Sequence, residues 1–272
     1  MIHLFCALKC EAKPLLDHYR LNHHAPADVF PVYVNQQQNI SLTITGIGKQ
    51  SAAAAVIYTW MLLEAQASDA WLNVGMAGHG NMNTGNIALA NHIIDADSQQ
   101  GWYPQILFDT DLPRSKLLSL STPCTDYRDC LYDMEAAGFY ASVTRIATSE
   151  LCHCLKIISD NPDNPAKILP EKAVHELIQK NLDAIIQTIT QLQSLSDELA
   201  SIHAPLQYYE QFQNRWHFTQ YEKNRLRQLL QRWQALFAER DPLSPELNTL
   251  KNSSEVLAQL EHTLDTTPVR LD

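Results

Sequence analysis

Three carboxylates, Glu11, Glu135 and Asp160, stand at the ends of stretches that have the pattern of β-strands. A carboxylate can act as a general base when ionised, as a general acid when protonated, and as an acceptor for ligand hydroxyl groups. Glu135 heads an apolar run that continues through Ile146, with only Arg145 as a break. A helix that is apolar on nearly all sides is normally buried, and a carboxylate in its first turn then needs a partner. That partner could simply be the positive end of the same helix, so Glu135 alone does not define a site.

These carboxylates belong to an alternation of strands and helices. Apolar patterns predict strands at residues 1–8, 29–34, 40–45, 70–74, 87–94, 117–120, 130–132 and 155–159, and helices at 11–19, 51–67 and 136–147. Such an alternation is typical of an α/β domain with a largely parallel or mixed sheet. Ligands bind at the carboxyl ends of the strands in such sheets. The three carboxylates and two glycine-rich turns, 45–49 and 75–80, are therefore predicted to meet there.

The character of the sequence changes at about residue 170. Leucine- and glutamine-rich patterns predict three helices, at 171–202, 206–239 and 245–264, with prolines at their joins. The second helix carries a basic run in an acidic chain: Lys223, Arg225, Arg227 and Arg232. We interpret this run as a solvated helix face, with a docking surface for a protein partner or nucleic acid as the alternative.

Composition narrows the class of protein. The 272 residues carry a net charge of −10, which argues against binding to nucleic acid or to a membrane surface. No apolar run reaches the ~18 residues that a membrane span needs. The amino terminus lacks the basic residues that begin a signal peptide, so the protein is expected to be cytoplasmic. The six cysteines of the chain are then expected to be reduced thiols.

Five short motifs in order resemble the nucleoside phosphorylase superfamily, nearest to its methylthioadenosine/S-adenosylhomocysteine nucleosidase branch. They are residues 6–11 (CALKCE), 45–49 (TGIGK), 73–78 (NVGMAG), 133–136 (DMEA) and 158–160 (ISD). The resemblance covers roughly residues 1–200. It implies an α/β fold with a nucleoside-phosphorylase-like mixed sheet flanked by helices, followed by an accessory all-α region at residues 203–272.

The resemblance also implies a reaction and a set of roles. The reaction is hydrolysis of the N-ribosidic bond of a purine nucleoside, with no metal or other cofactor and with a homodimer as the expected assembly. Glu11 would activate the water, and Asp160, oriented by Ser159, would be the protonated acid that serves the departing base. Glu135 would bind the ribose hydroxyls. Further substrate contacts are implied for Met134, which would pack on the sugar, and for Gly75 and Met76 in the second glycine turn.

Water is favoured over phosphate as the nucleophile. Phosphate is a dianion that needs cationic partners, but Arg20 is the only arginine in the first 100 residues. Met76 also stands where a hydroxyl would help to bind phosphate, and Glu11 would repel it. One alternative is a phosphorylase that uses Arg114 or Arg128. Another is a catalytically weak nucleoside-binding protein that signals through its carboxy-terminal helices.

The segment between residues 95 and 133 departs from the family pattern because it is shorter, by about a helix and part of a strand. Residues 122–126 lie where the family supplies backbone and aromatic contacts to the base. Base selectivity therefore cannot be carried over from the resemblance.

Two other signals carry less weight. Cys152, His153 and Cys154 suggest a metal site, but in a strand His153 would face away from the two cysteines. A closed zinc site needs four ligands, and no second pair has suitable spacing. His79, in the second glycine turn, could either contact a ligand or hold the loop.

Overall fold

The computed structural model describes residues 1–24, 29–123, 126–165, 169–203, 206, 208–237, 240–243, 247 and 249–266. The chain divides into two compact units, Met1–Ser201 and Ile202–Asp272. None of the described helices is both long enough and apolar enough to cross a membrane.

Among its described residues, the first unit contains a ten-stranded mixed sheet that forms its frame. Its strands are β1 (Ile2–Cys6), β2 (Asn22–His23), β3 (Val32–Asn35), β4 (Ile40–Ile44), β5 (Ala70–His79), β6 (Ile87–Asp95), β7 (Gly101–Trp102), β8 (Arg114–Ser119), β9 (Leu131–Asp133) and β10 (Cys152–Asp160). They follow the order β10-β6-β8-β9-β5-β1-β4-β3-β2, with β7 paired to β6. Strand β10 pairs with β5 as well as with β6, which closes part of the sheet on itself. The predicted mixed α/β fold is confirmed.

Helices cover both faces of this sheet, as the alternation of side chains in β1 illustrates. Leu4 and Cys6 lie in the core with α1 (Lys9–His18), α4 (Glu171–Lys180) and the first half of α5 (Leu182–His203). Phe5, which points to the opposite face, lies in the core with α2 (Lys49–Leu62) and α3 (Ala136–Val143). Parallel pairing of β1 with β5, and of β5 with β10, brings their carboxyl ends to one edge.

The second unit contains α6 (Tyr209–Arg215), α7 (Gln220–Leu236) and α8 (Ser253–Thr266) around its own apolar core. The basic run on α7 is not simply a solvated face. Arg225 pairs with Glu261 and Arg232 with Asp265, the latter at 2.8 Å, so both arginines join α7 to α8. Arg227 lies 5.0 Å from the ring centroid of Tyr209.

Several predicted boundaries were wrong. The strand expected at 70–74 continues to His79, so the second glycine-rich stretch is largely strand and not a turn. The helix expected at 171–202 is interrupted at Asn181, and the one expected at 206–239 is interrupted before α7, which begins with a Thr219–Glu222 capping box. Helix α3 ends at Val143 instead of residue 147, and α2 at Leu62 instead of 67. Pro245, the predicted start of the last helix, lies outside the described residues.

Candidate active site

A cavity of about 200 Å³ opens where β1, β9 and β10 end. Six of the seven residues predicted for the site line it: Glu11, Met76, Met134, Glu135, Ser159 and Asp160. Gly75 is the seventh; it is not part of the lining and lies next to the Glu11 carboxylate. A Cβ atom at Gly75 would approach Glu11 Oε1 to 3.3 Å, so the glycine makes room for that carboxylate.

Glu11 is buried in the first turn of α1, with only 3 % of its surface exposed. Its Oε2 accepts a hydrogen bond from the backbone N–H of Leu8 at 2.8 Å, and its Oε1 accepts one from Met76 at 3.1 Å. Burial raises the pKa of Glu11, although the two N–H donors and Lys156 act in the opposite direction. A carboxylate whose pKa is raised is a better general base than an ordinary one.

Glu135 stands at the amino-terminal cap of α3, but its carboxylate bonds elsewhere. Oε1 accepts the N–H of Gly48 at 2.9 Å, and Oε2 accepts the N–H of Met134 at 3.3 Å. Asp133 accepts the N–H of Ala136 at 2.8 Å and so takes the helix-capping role. Burial and the neighbouring Asp133 raise the pKa of Glu135, against the effect of Lys156. The Glu135 carboxylate thus lies at the cavity and does not cap the amino terminus of α3.

Lys156 is a residue of this site that the sequence analysis missed. Its side chain is only 1 % exposed, and its ammonium group lies 2.7 Å from Asp133 Oδ2. Burial by itself would lower the pKa of Lys156, but Asp133 and Glu135 reverse this effect and raise it, so the side chain is a cation. The signal was present in the sequence: a lone lysine within the apolar strand β10, four residues before Asp160. A buried lysine requires an anionic partner.

Asp160 ends β10 and receives a hydrogen bond on each carboxylate oxygen. The Ser159 hydroxyl donates to Oδ1, and the Tyr127 hydroxyl donates to Oδ2 at 2.6 Å. A Cβ atom at Gly78 would lie 2.6 Å from Asp160 Oδ2, so only glycine fits beneath this carboxyl. Ser159 therefore contacts Asp160 as expected, while Tyr127 was not anticipated.

The cavity wall is apolar and acidic. The lining is completed by Asp133 together with Ala7, Leu8, Ile47, Ala77, Gly78, Leu120, Pro123 and Tyr132. No lysine or arginine of the described ranges belongs to that lining. Arg128 has a guanidinium group that is 78 % exposed and pairs with Asp126, and Arg114 is exposed at the start of β8. Cys124 and Thr125, from the segment expected to meet the base, lie outside the described residues.

The two minor signals have structural partners. His153 Nε2 is 2.9 Å from the Glu150 carbonyl oxygen, and the Cys152 thiol donates to the Thr148 carbonyl at 3.0 Å. His79 Nδ1 accepts the N–H groups of Asn81 and Met82, so it holds the loop after β5. Within the part of the chain that the structure describes, no three His, Cys, Asp or Glu side chains are grouped to bind a metal ion.

The same architecture occurs in solved nucleosidases. A 5′-methylthioadenosine nucleosidase from Arabidopsis thaliana matches 72% of this chain and 98% of its own, at 16% identity and a TM-score of 0.59. A 5′-methylthioadenosine/S-adenosylhomocysteine nucleosidase from S. pneumoniae, solved with a transition-state inhibitor, matches 70% of this chain and 99% of its own, at 14% identity and a TM-score of 0.56. A futalosine hydrolase mutant from Helicobacter pylori matches 72% and 98%, at 15% identity and a TM-score of 0.50.

No protein-family model matches the sequence, and neither does any curated protein. At these identities the structural likeness shows the fold, which is the one expected from the five motifs.

Proposed function

We propose that this protein is a purine nucleoside N-ribosyl hydrolase. The observation that carries the proposal is the placement of Glu11, Glu135 and Asp160 on one cavity whose described lining contains no cationic side chain. Cleavage of an N-ribosidic bond passes through a cationic, oxocarbenium-like ribose, which carboxylates stabilise. The names of the structural neighbours, which are two nucleosidases and a futalosine hydrolase, support the same reaction class.

The proposed steps use the chain's own side chains. Glu135 accepts hydrogen bonds from the ribose hydroxyls, and Met134 packs on the sugar. As the bond between the anomeric carbon and the base nitrogen breaks, its electron pair moves into the base and the Asp160 proton goes to a ring nitrogen. Water attacks the anomeric carbon and gives its proton to the Glu11 carboxylate. The products are the free base and ribose, and the net change is addition of one water molecule.

Hydrolysis fits the cavity better than phosphorolysis. A phosphate dianion would meet the carboxylate of Glu11, whose pKa burial raises, and the buried cation Lys156 is already paired with Asp133. The two arginines considered for a phosphorylase, Arg114 and Arg128, do not line the cavity. Phosphate binding ordinarily requires such charge-assisted hydrogen bonds.

We further propose that residues 1–200 form the nucleosidase domain and residues 203–272 an accessory helical domain, in a cytoplasmic homodimer. The two separate cores support the domain division. Ile57 and Met61, which are 40% and 66% exposed on α2, support a subunit interface on that helix. The five described cysteines are free, which is consistent with a reducing compartment.

The test is base release from a panel of purine nucleosides, with and without phosphate, that includes 5′-methylthioadenosine and futalosine. We expect phosphate-independent release that falls about 10²–10⁴-fold in Asp160→Asn, because the base loses its proton donor. Asp163→Asn, an exposed aspartate three residues later, is the matched control and should retain full activity. Release that requires phosphate would assign a phosphorylase instead, and no release from any nucleoside would overturn the proposal.

The pH profile tests Glu11 separately. A general base works in its ionised form, and the raised pKa of Glu11 means that its proton is lost at a higher pH than from an ordinary glutamate. The acid limb of kcat/KM is therefore expected above the usual glutamate value of about 4.3. An acid limb below that value would exclude Glu11 as the base.

A further inference from the structure

Tyr127 lies in the shortened segment between β8 and β9, and its hydroxyl contacts the proposed acid. The Tyr127 oxygen is 2.6 Å from Asp160 Oδ2, within the range of a strong hydrogen bond to a carboxylate. A Cβ atom at Gly78 would lie 3.1 Å from the Tyr127 ring and 2.6 Å from Asp160 Oδ2. The ring and the carboxyl thus lie together on the backbone of β5.

The backbone beside Tyr127 is fixed by three hydrogen bonds. The carbonyl of Arg128 accepts the N–H of Gly80 at 2.9 Å and that of Cys130 at 2.8 Å. The N–H of Arg128 donates to the Tyr132 hydroxyl at 2.8 Å. The Tyr127 ring also packs edge-on to Tyr132, with the ring centroids 6.3 Å apart. These contacts hold the Tyr127 hydroxyl at Asp160 without help from a ligand.

The position of Tyr127 relative to the cavity decides what it can do. Gly78, Tyr132, Ser159 and Asp160 line the cavity at this end, and Tyr127 does not belong to the described lining. Its hydroxyl therefore acts on the cavity through its contact with the Asp160 carboxyl. Tyr127 is then a positioning residue, in contrast to a residue that contacts the base.

We infer that Tyr127 orients Asp160 and stabilises the carboxylate that forms when Asp160 gives its proton to the base; this inference rests on the proposed function. A phenol can accept a hydrogen bond from a protonated carboxyl and donate one to an ionised carboxylate. The negative charge on Asp160 grows as the proton leaves, so the donated hydrogen bond strengthens in the transition state. The Ser159 hydroxyl acts on the other carboxylate oxygen in the same way.

The test compares Tyr127→Phe with Tyr103→Phe, which removes a hydroxyl from an exposed tyrosine outside the site. We expect Tyr127→Phe to lower kcat by about tenfold to a hundredfold with little change in KM, since the lost hydrogen bond goes to a charged group. Tyr103→Phe should match wild type in both kcat and KM.

The two proposals fail in different ways. If wild type releases base and Asp160→Asn does not, but Tyr127→Phe keeps the wild-type kcat, the inference about Tyr127 is wrong and the nucleosidase assignment stands. A lower kcat accompanied by an equally large rise in KM also contradicts it, because a general disturbance of the cavity would weaken substrate binding as well. If wild type releases no base from any nucleoside, both proposals are wrong.

Discussion

At the scale of single residues, three carboxylates of the site, Glu11, Asp133 and Glu135, are buried near the buried cation Lys156. Burial raises the pKa of both Glu11 and Glu135, and Lys156 is the charge that opposes this rise in each case. The ammonium group of Lys156 is paired directly with Asp133 and is almost fully buried. Lys156 thus allows several anions to stand together beside one cavity.

Replacing Lys156 tests that interpretation. Lys156→Met keeps much of the side-chain volume but leaves Asp133 and Glu135 buried without a cation, which should lower the free energy of unfolding by about 3–5 kcal/mol at neutral pH. The loss should shrink as the pH falls, because without Lys156 the pKa of Glu135 rises further and the carboxyl becomes neutral. Urea unfolding at several pH values measures both effects.

The control is Lys172→Met on α4, where the side chain is 87% exposed and its pair with Glu176 is long, at 3.8 Å. Its unfolding free energy should change by less than about 0.5 kcal/mol. An equal loss of unfolding free energy in Lys156→Met and Lys172→Met would show that the buried ion pair stabilises the fold no more than the exposed one.

The sequence predicted the carboxylates better than it predicted their partners. Glu11, Glu135 and Asp160 could be expected to share one edge because each stands near the end of a strand, and the structure places all three on one cavity. Lys156 and Tyr127 depend on contacts between distant segments. Their partners are 23 and 33 residues away in the chain, across a sheet whose order no local pattern encodes.

At the scale of elements, the packing of α2 against α3 sets the position of Glu135. The first glycine turn precedes α2, and the N–H of Gly48 binds the Glu135 carboxylate at the start of α3. A Cβ atom at Gly138 would lie 1.9 Å from the carbonyl oxygen of Lys49, so the two helices meet at a glycine. Lys49 is also held by Asp95 at 2.6 Å.

Gly138→Ala should therefore force α3 away from the start of α2. Because the clash is with backbone and not with a flexible side chain, we expect a loss of about 1–3 kcal/mol in unfolding free energy, in spite of the better helix propensity of alanine. Base release should fall as well, since the separation of Gly48 from Glu135 changes. The matched substitution is Ser142→Ala, one turn later on the same helix. A Gly138→Ala variant as stable and active as Ser142→Ala would contradict the close packing.

The second glycine stretch shows why element boundaries were harder to predict than elements. Gly75 and Gly78 were interpreted as parts of a turn, yet both lie inside β5. Among the described glycines, a positive φ occurs at Gly46, Gly48 and Gly85, and not at these two. Gly75 and Gly78 are glycines because Glu11 and Asp160 occupy the space of a side chain. A glycine can be required by a positive φ angle or by lack of space for a side chain, and the sequence alone does not show which of these two reasons applies.

At the scale of the whole molecule, every residue of the proposed site lies between positions 7 and 160, within the first unit. The second unit has an independent core, in which Leu226, Leu230 and Trp233 of α7 pack with Leu260 of α8. The sequence pattern predicted a helix that includes α7, but not the pairing of its arginines with acidic residues on α8. That pairing leaves fewer free basic groups for the docking surface that was considered.

Destabilising the second unit should therefore leave the chemistry intact. Leu226→Ala removes a fully buried side chain and should cost that unit about 2–5 kcal/mol, whereas Leu236→Ala, on the same helix but 38% exposed, should cost much less. Calorimetry should show an earlier unfolding transition only in the first variant, and kcat/KM for base release below that transition should equal the wild-type value in both. A drop in kcat/KM in Leu226→Ala at a temperature where the second unit is still folded would mean that the accessory helices take part in catalysis or in forming the site.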